Sequence, residues 1–133
     1  MTRVLLGSGG FRGEARREFL CAQMREFFGD IQQLLFVPYA GGDYDKYVNL
    51  MIDAGFHAGY DLVGIHAFDD AAVAVENAEA VYVGGGNTFR LIDKLHSNGT
   101  LQALKQRVAG GMPYMGVSAG SNVACPTMQT TND

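Results

Sequence analysis

The chain is poor in the residues that mark extracellular, fibrous or disordered proteins. Its 133 residues include no tryptophan, three prolines and two cysteines, and only 18% are charged. Cys21 and Cys125 show no CxxC spacing, which argues against a zinc site and a disulfide framework, so we interpret them as reduced thiols. With 47% hydrophobic residues, the chain is long enough to bury the core of one globular domain.

Long apolar runs and clustered basic residues are also absent. The first ten residues, MTRVLLGSGG, hold an apolar run of only three residues, and no stretch approaches the ~20 residues that span a membrane. The net charge is −4 and the basic residues are scattered, whereas a nucleic-acid-binding face needs them clustered. We therefore expect a cytoplasmic protein that binds neither a membrane nor nucleic acid.

Glycine, in contrast, is abundant, and most of the 18 glycines follow short apolar runs. Runs that are apolar throughout predict strands buried on both faces, here at 3–7, 34–40, 61–68, 80–86 and 113–117. Helical patterns separate them, over 14–28, 43–55, 69–78, 88–99 and 100–111, with Asp43 and Thr100 as expected caps. The alternation predicts a single α/β domain over residues 1–133, a doubly wound parallel sheet with flanking helices whose sites lie at the carboxyl ends of the strands.

The glycine turn after the first strand does not match a nucleotide-binding loop. In GSGGFRG, residues 7–13, the G-x-G-x-x-G spacing requires glycine at position 12, where Arg12 stands. The second strand ends without the acidic residue that holds a ribose hydroxyl, and no P-loop pattern occurs. The paired aspartates at 43/45 and 69/70 lack further ligands at metal-binding spacing. We therefore expect neither a nucleotide cofactor nor a metal.

Two later glycine turns carry groups suited to acyl transfer. In GVSAG, residues 116–120, the G-x-S-x-G pattern places Ser118 on a sharp strand-to-helix turn with its Oγ exposed and the amide of Ala119 beside it. In YVGGGNTF, residues 82–89, glycines leave backbone N–H groups unshielded at the start of a helix, where they suit an anionic oxygen. A chance pattern is the alternative for the first turn. A plain loop capped by Asn87 or Thr88 is the alternative for the second.

A serine nucleophile needs a base, and none of the three histidines is placed to provide it. His57 and His96 stand at helix ends, where capping explains them. His66 ends the third predicted strand, where a structural or supporting role is the ordinary interpretation. The base should instead arrive on a loop after the nucleophile strand. Tyr44 and Tyr47 can approach the site from the loop after the second strand, but nothing in the sequence assigns them a role.

The segments VGGGNTFRLIDKL (83–95) and GVSAGSNVACPTMQTTND (116–133), in this order and spacing, resemble the peptidase E family of aspartyl dipeptidases. The match is looser at LLFVPYA (34–40) and GIHAFDD (64–70). These are serine peptidases whose fold is related to class I glutamine amidotransferases, a flavodoxin-like α/β fold. The resemblance implies hydrolysis of dipeptides with an N-terminal aspartate through an acyl-enzyme, without a metal or cofactor.

The resemblance assigns site residues position by position. Ser118 matches the nucleophile, and Gly86 and Ala119 match the backbone donors of the oxyanion hole. Asp133 falls where the family has an aspartate proposed for the charge relay, with a later glutamate as the competing candidate. Three further residues of the glycine turn are expected to contact the substrate: Gly85, Asn87 and Thr88.

The family's catalytic histidine, the competing glutamate and the basic residue for the substrate carboxylate all fall beyond the position of Asp133. We therefore expect residues 1–133 to be an N-terminal portion of the domain, as a truncated chain, a proteolytic fragment or one chain of a nicked protein whose second chain carries the rest; a homodimer stays open. The alternatives are a cyanophycinase-like β-aspartyl peptidase and a non-catalytic binding domain of the same fold. An amidotransferase is disfavoured, because it normally carries cysteine at the elbow.

Overall fold

A computed structural model describes residues 3–7 and 14–117. The strands are Val4–Gly7 (β1), Gln33–Val37 (β2), Asp61–Gly64 (β3), Val81–Val83 (β4) and Tyr114–Val117 (β5). The helices are Glu14–Phe28 (α1), Tyr44–Asp53 (α2), Ala71–Glu76 (α3), Thr88–Ser97 (α4) and Thr100–Ala109 (α5), with a 3-10 turn at Ile65–Ala67. Among the helices of these two ranges, none has the length and apolarity to cross a membrane.

The described strands form one parallel sheet in the order β1-β5-β4-β2-β3. The predicted α/β class with a parallel sheet is therefore confirmed. From β2 the chain passes outward to β3, whereas from β4 it passes in the opposite direction to β5. The crevice between the carboxyl ends of β2 and β4 is thus a topological switch point, the place where open α/β sheets bind ligands.

Both faces of the sheet are covered, which explains why the strands are apolar throughout. On one face Phe36 and Tyr82 pack with residues of α1 and α2, including Met24 and Met51. On the other face, alternate residues of the same strands pack with α3, α4 and α5. Because neighbouring strand residues point to opposite faces, a strand between two helical layers has no solvent side.

The third strand ends earlier than predicted. The sequence predicts a strand over 61–68, but β3 stops at Gly64 and the chain continues as a 3-10 turn. The pairing partner explains the difference. Among the described strands β3 pairs with β2 alone, and β2 itself turns at Pro38, where Gly41 N donates to Pro38 O at 2.9 Å. Once β2 has turned away, the backbone of β3 has no neighbouring described strand to form hydrogen bonds with, so the strand ends.

One predicted cap is confirmed and one is wrong. Asp43 caps α2 by accepting a hydrogen bond from Lys46 N at 3.1 Å. Thr100 does not cap α5: the cap residue is Gly99, with φ of +76°. Thr100 is fully buried, and its hydroxyl donates inward to Asn98 Oδ1 at 2.6 Å.

Asn98 completes a small buried network, because its Nδ2 donates to the Tyr39 hydroxyl at 2.9 Å. We expect Asn98→Ala to lower the free energy of unfolding by about 2 kcal/mol, since it leaves the buried Thr100 and Tyr39 hydroxyls without this partner. Urea unfolding of the intact protein measures the change. Asn77→Ala is the control, because the exposed Asn77 Nδ2 bonds only its own helix, at Val73 O; an equal loss in both variants would contradict the assignment.

Candidate active site

The glycine turn after β4 is held along the segment that follows β2. Gly84 N donates to Val37 O at 3.1 Å, and Asn87 N donates to Ala40 O at 2.9 Å. Between these anchors Gly86 has φ of +139°, and a Cβ there would lie 2.6 Å from Ala40 O. Only glycine fits both the backbone angle and this close approach. The turn therefore lies at the switch-point crevice between β2 and β4.

Backbone donors of this turn are available to a ligand. No hydrogen bond joins the amide of Gly85 or Gly86 to another residue within the described ranges. The Gly86 residue is exposed, and α4 begins two residues later at Thr88. Unpaired amides at a helix N-terminus favour a negatively charged oxygen, both through direct bonds and through the helix dipole.

Asn87 is the N-cap residue of α4. This agrees with the alternative interpretation of the turn as a plain loop capped by Asn87 or Thr88. Its Oδ1 accepts a hydrogen bond from Arg90 N at 3.1 Å. Asn87 is exposed, and the capping bond does not involve its Nδ2. Thr88, the first residue of the helix, is half-buried. The capping bond thus uses one side-chain atom of Asn87 and leaves the amide nitrogen for a ligand.

The elbow residues Ser118 and Ala119, and also Asp133, lie outside the described residues. Val117, which directly precedes Ser118, is buried at the carboxyl end of β5. Parallel pairing of Val83 with Gly116 brings β4 and β5 to the same edge of the sheet. Neighbouring strands lie about 4.8 Å apart, so the glycine turn and the end of β5 are adjacent.

None of the three histidines lies beside the end of β5. His57 precedes β3 and His96 is in the last turn of α4, so both belong to the amino edge of the sheet, opposite the glycine turn. His66 is at the carboxyl edge, but β3 is three strand positions from β5, about 14 Å away. Its Nε2 lies 2.6 Å from Asp45 Oδ1.

The sequence assigned no role to Tyr47, but in the structure its side chain contacts the glycine turn. Its hydroxyl donates to Gly85 O at 2.8 Å, and its ring packs edge-on against Phe36 with centroids 5.1 Å apart. The sequence feature that could have indicated this contact is the Asp43 cap. Because α2 begins directly after Asp43, Tyr47 lies in the first turns of the helix and hence at the carboxyl edge of the sheet. Helical spacing also places Tyr47 with Met51 on the inward face.

Within the described residues, cysteine and acidic side chains form no second candidate catalytic or metal site. Cys21 is a free thiol whose Sγ donates to Gly55 O at 3.3 Å, and burial raises its pKa. A half-buried thiol with a raised pKa is a poor nucleophile. No three His, Cys, Asp or Glu side chains gather as a metal site within 3–7 and 14–117.

The model of peptidase family S51 matches residues 4–133. Peptidase E of Streptomyces coelicolor is 41% identical over 133 residues, which is all of this chain and 55% of the relative. Peptidase E of Salmonella typhimurium is 36% identical over 135 residues, again all of this chain and 59% of the relative. A Drosophila melanogaster protein assigned as a probable alpha-aspartyl dipeptidase is 38% identical, over 98% of this chain and 55% of its own.

Solved structures show the same fold. The crystal structure of a Listeria monocytogenes protein assigned as a peptidase E has a TM-score of 0.67 at 25% identity, covering 90% of this chain and 60% of the other. A peptidase from an acI-B1 actinobacterium reaches a TM-score of 0.66 at 21% identity, covering 90% of this chain and 55% of the other. The chain spans about half the length of the curated relatives it matches. By the match over residues 4–133, it belongs to peptidase family S51.

Proposed function

We propose that this chain carries the nucleophile and oxyanion donors of a serine dipeptidase that cleaves dipeptides with an N-terminal aspartate. The observation that carries the proposal is the position of the Gly86 turn beside the end of β5, the strand that leads into Ser118. The peptidase E names of the bacterial relatives, and the aspartyl dipeptidase assignment in Drosophila, support the reaction and the substrate class.

In the proposed reaction the Ser118 oxygen attacks the carbonyl carbon of the aspartyl residue, and a base takes the serine proton. The carbonyl oxygen becomes an anion that accepts hydrogen bonds from the amides of Gly86 and Ala119. The C–N bond then breaks, the proton passes to the leaving amine, and an aspartyl ester remains on Ser118. Water hydrolyses this ester with the same base, releasing aspartate.

The general base is proposed to be a histidine supplied from outside these 133 residues. Each of the three histidines of the chain is at the wrong edge of the sheet or three strands from β5. Asp133 is proposed to orient that histidine in the charge relay, with a later glutamate as the competing candidate. The complete catalytic domain then needs further chain, either covalently continuous or as a second polypeptide.

The glycine turn is also proposed to bind the substrate, through Gly85, Asn87 and Thr88. Asn87 Nδ2 is the side-chain donor left after Oδ1 has capped α4. A donor at a helix N-terminus suits the substrate's anionic carboxylate. We further propose a cytoplasmic location, where the reduced state of Cys21 is maintained.

Asn87→Ser separates the two roles of Asn87. Serine is as good a cap as asparagine but has no amide donor, so we expect unchanged thermal stability and about a tenfold higher KM for Asp-Leu. Asn87→Ala is the comparison and should in addition cost about 1 kcal/mol of stability through the lost cap. A normal KM in Asn87→Ser would show that Nδ2 does not bind the substrate.

Substrate assays on the intact protein test the proposed function. Asp-Leu should be hydrolysed, whereas Leu-Leu and a β-aspartyl-arginine polymer should not. An organophosphonate probe should label Ser118 and no other serine, as read by peptide mass spectrometry. Cleavage of the polymer in preference to Asp-Leu would favour a cyanophycinase-like enzyme. Absence of both hydrolysis and labelling would favour a non-catalytic binding domain.

A further inference from the structure

Tyr47 connects helix α2 to the glycine turn at one atom. Its hydroxyl donates to the carbonyl oxygen of Gly85 at 2.8 Å. The ring fills the space beside two glycines: a Cβ on Gly41 would lie 2.8 Å from Tyr47 Cδ2, and a Cβ on Gly84 would lie 2.6 Å from the Tyr47 hydroxyl oxygen. Two glycines thus make room for this side chain, which packs against the turn instead of merely lying near it.

The Gly85 carbonyl and the Gly86 amide belong to the same peptide unit. None of the described peptide bonds is cis, and in a trans peptide the C=O and N–H bonds point in opposite directions within one plane. A hydrogen bond that fixes the carbonyl of Gly85 therefore also fixes the direction of the Gly86 N–H. This matters here because glycines on both sides leave the peptide plane free of steric restraint from side chains.

We propose that Tyr47 is a positioning residue that orients the Gly86 amide towards the oxyanion. This inference rests on the proposed function, in which that amide stabilises the transition state. Tyr47 does not touch the reacting atoms. It acts through the Gly85–Gly86 peptide, from the face of the sheet that carries α2. Strand β5 adjoins β4 on the edge away from β2.

The hydrogen bond from Tyr47 to Gly85 is suited to the pH range of a cytoplasmic peptidase. Burial raises the pKa of the Tyr47 hydroxyl above its ordinary value. The hydroxyl therefore keeps its proton, and hence its hydrogen bond to the carbonyl, throughout neutral and mildly alkaline solution. Ionisation of Tyr47 should not add a limb to the pH profile of kcat in this range.

Tyr47→Phe in the intact protein removes the hydroxyl and keeps the ring packing. We expect kcat for Asp-Leu to fall about tenfold with KM changed less than about twofold, because an oxyanion donor acts mainly in the transition state. The pH dependence of kcat should keep its shape. The matched control is Tyr60→Phe, which removes a similar bond, from the Tyr60 hydroxyl to Gly29 O at 2.7 Å, away from the turn; its kcat should be unchanged.

A readout that does not depend on turnover is the amide resonance of Gly86 in protein labelled with ¹⁵N-glycine. Tyr47→Phe should shift this resonance and Tyr60→Phe should not. An unchanged kcat in Tyr47→Phe, or an equal loss of kcat in both variants, would overturn the positioning role. If the wild type itself fails to hydrolyse Asp-Leu, the proposed function fails, and the Gly86 resonance alone then decides whether Tyr47 fixes the peptide.

Discussion

Ser118→Ala is expected to reduce kcat for Asp-Leu by about 10⁶-fold, the order of the loss when the nucleophile of a serine peptidase is removed. Without the hydroxyl no acyl-enzyme forms, and only direct attack by water, aided by the oxyanion donors, remains. KM should stay within a few-fold of its wild-type value, because the groups proposed to bind the substrate are on the glycine turn. Steady-state kinetics with sensitive detection of free leucine measures both constants.

Ser121 provides the matched control for this variant. It lies three residues after Ser118 in the same segment but lacks the flanking glycines of the elbow pattern. Ser121→Ala should therefore keep wild-type kcat and full labelling by the organophosphonate, whereas Ser118→Ala should lose both. Retention of more than about 1% of kcat in Ser118→Ala would place the nucleophile elsewhere.

The fold class could be predicted because strands buried on both faces are apolar throughout, and this pattern is visible in the sequence. Strands β2, β4 and β5 are enclosed by helices on both faces, and this requires the continuous apolar runs that mark them. The strand order could not be predicted, because nothing local distinguishes an edge strand from a central one. For the same reason the sequence does not reveal the end of β3 at Gly64, which depends on where the chain of β2 turns.

Part of the candidate site could also be predicted from the sequence, and part could not. Gly86 and Asn87 could be found from the sequence, because a positive φ and a helix cap are local requirements with characteristic residues. The contact of Tyr47 with Gly85 joins residues 38 positions apart and depends on how α2 packs on the sheet. A tyrosine on the inward face of a helix looks the same in sequence whether it supports a core or a catalytic turn.

Gly86→Ala is expected to lower kcat by about 10²- to 10³-fold, the loss associated with one oxyanion donor. The new Cβ would lie 2.6 Å from Ala40 O and 2.9 Å from Ala40 C. These are backbone atoms, so no side-chain rotation relieves the clash, and φ of +139° is itself unfavourable for alanine. The turn must therefore move, and we expect its movement to carry the Gly86 N–H away from the proposed oxyanion position.

Loss of stability must be separated from loss of the donor, and Gly99→Ala does this. Gly99 also has a positive φ, +76°, but a Cβ there meets nothing within 4 Å. Gly99→Ala should cost about 1–2 kcal/mol of unfolding free energy from backbone strain and leave kcat unchanged. Gly86→Ala should lose kcat at temperatures where both variants are fully folded by circular dichroism, and organophosphonate labelling of Ser118 should slow in parallel. A Gly86→Ala protein with kcat within about threefold of wild type would mean that this amide does not hold the oxyanion, since a lost donor costs far more.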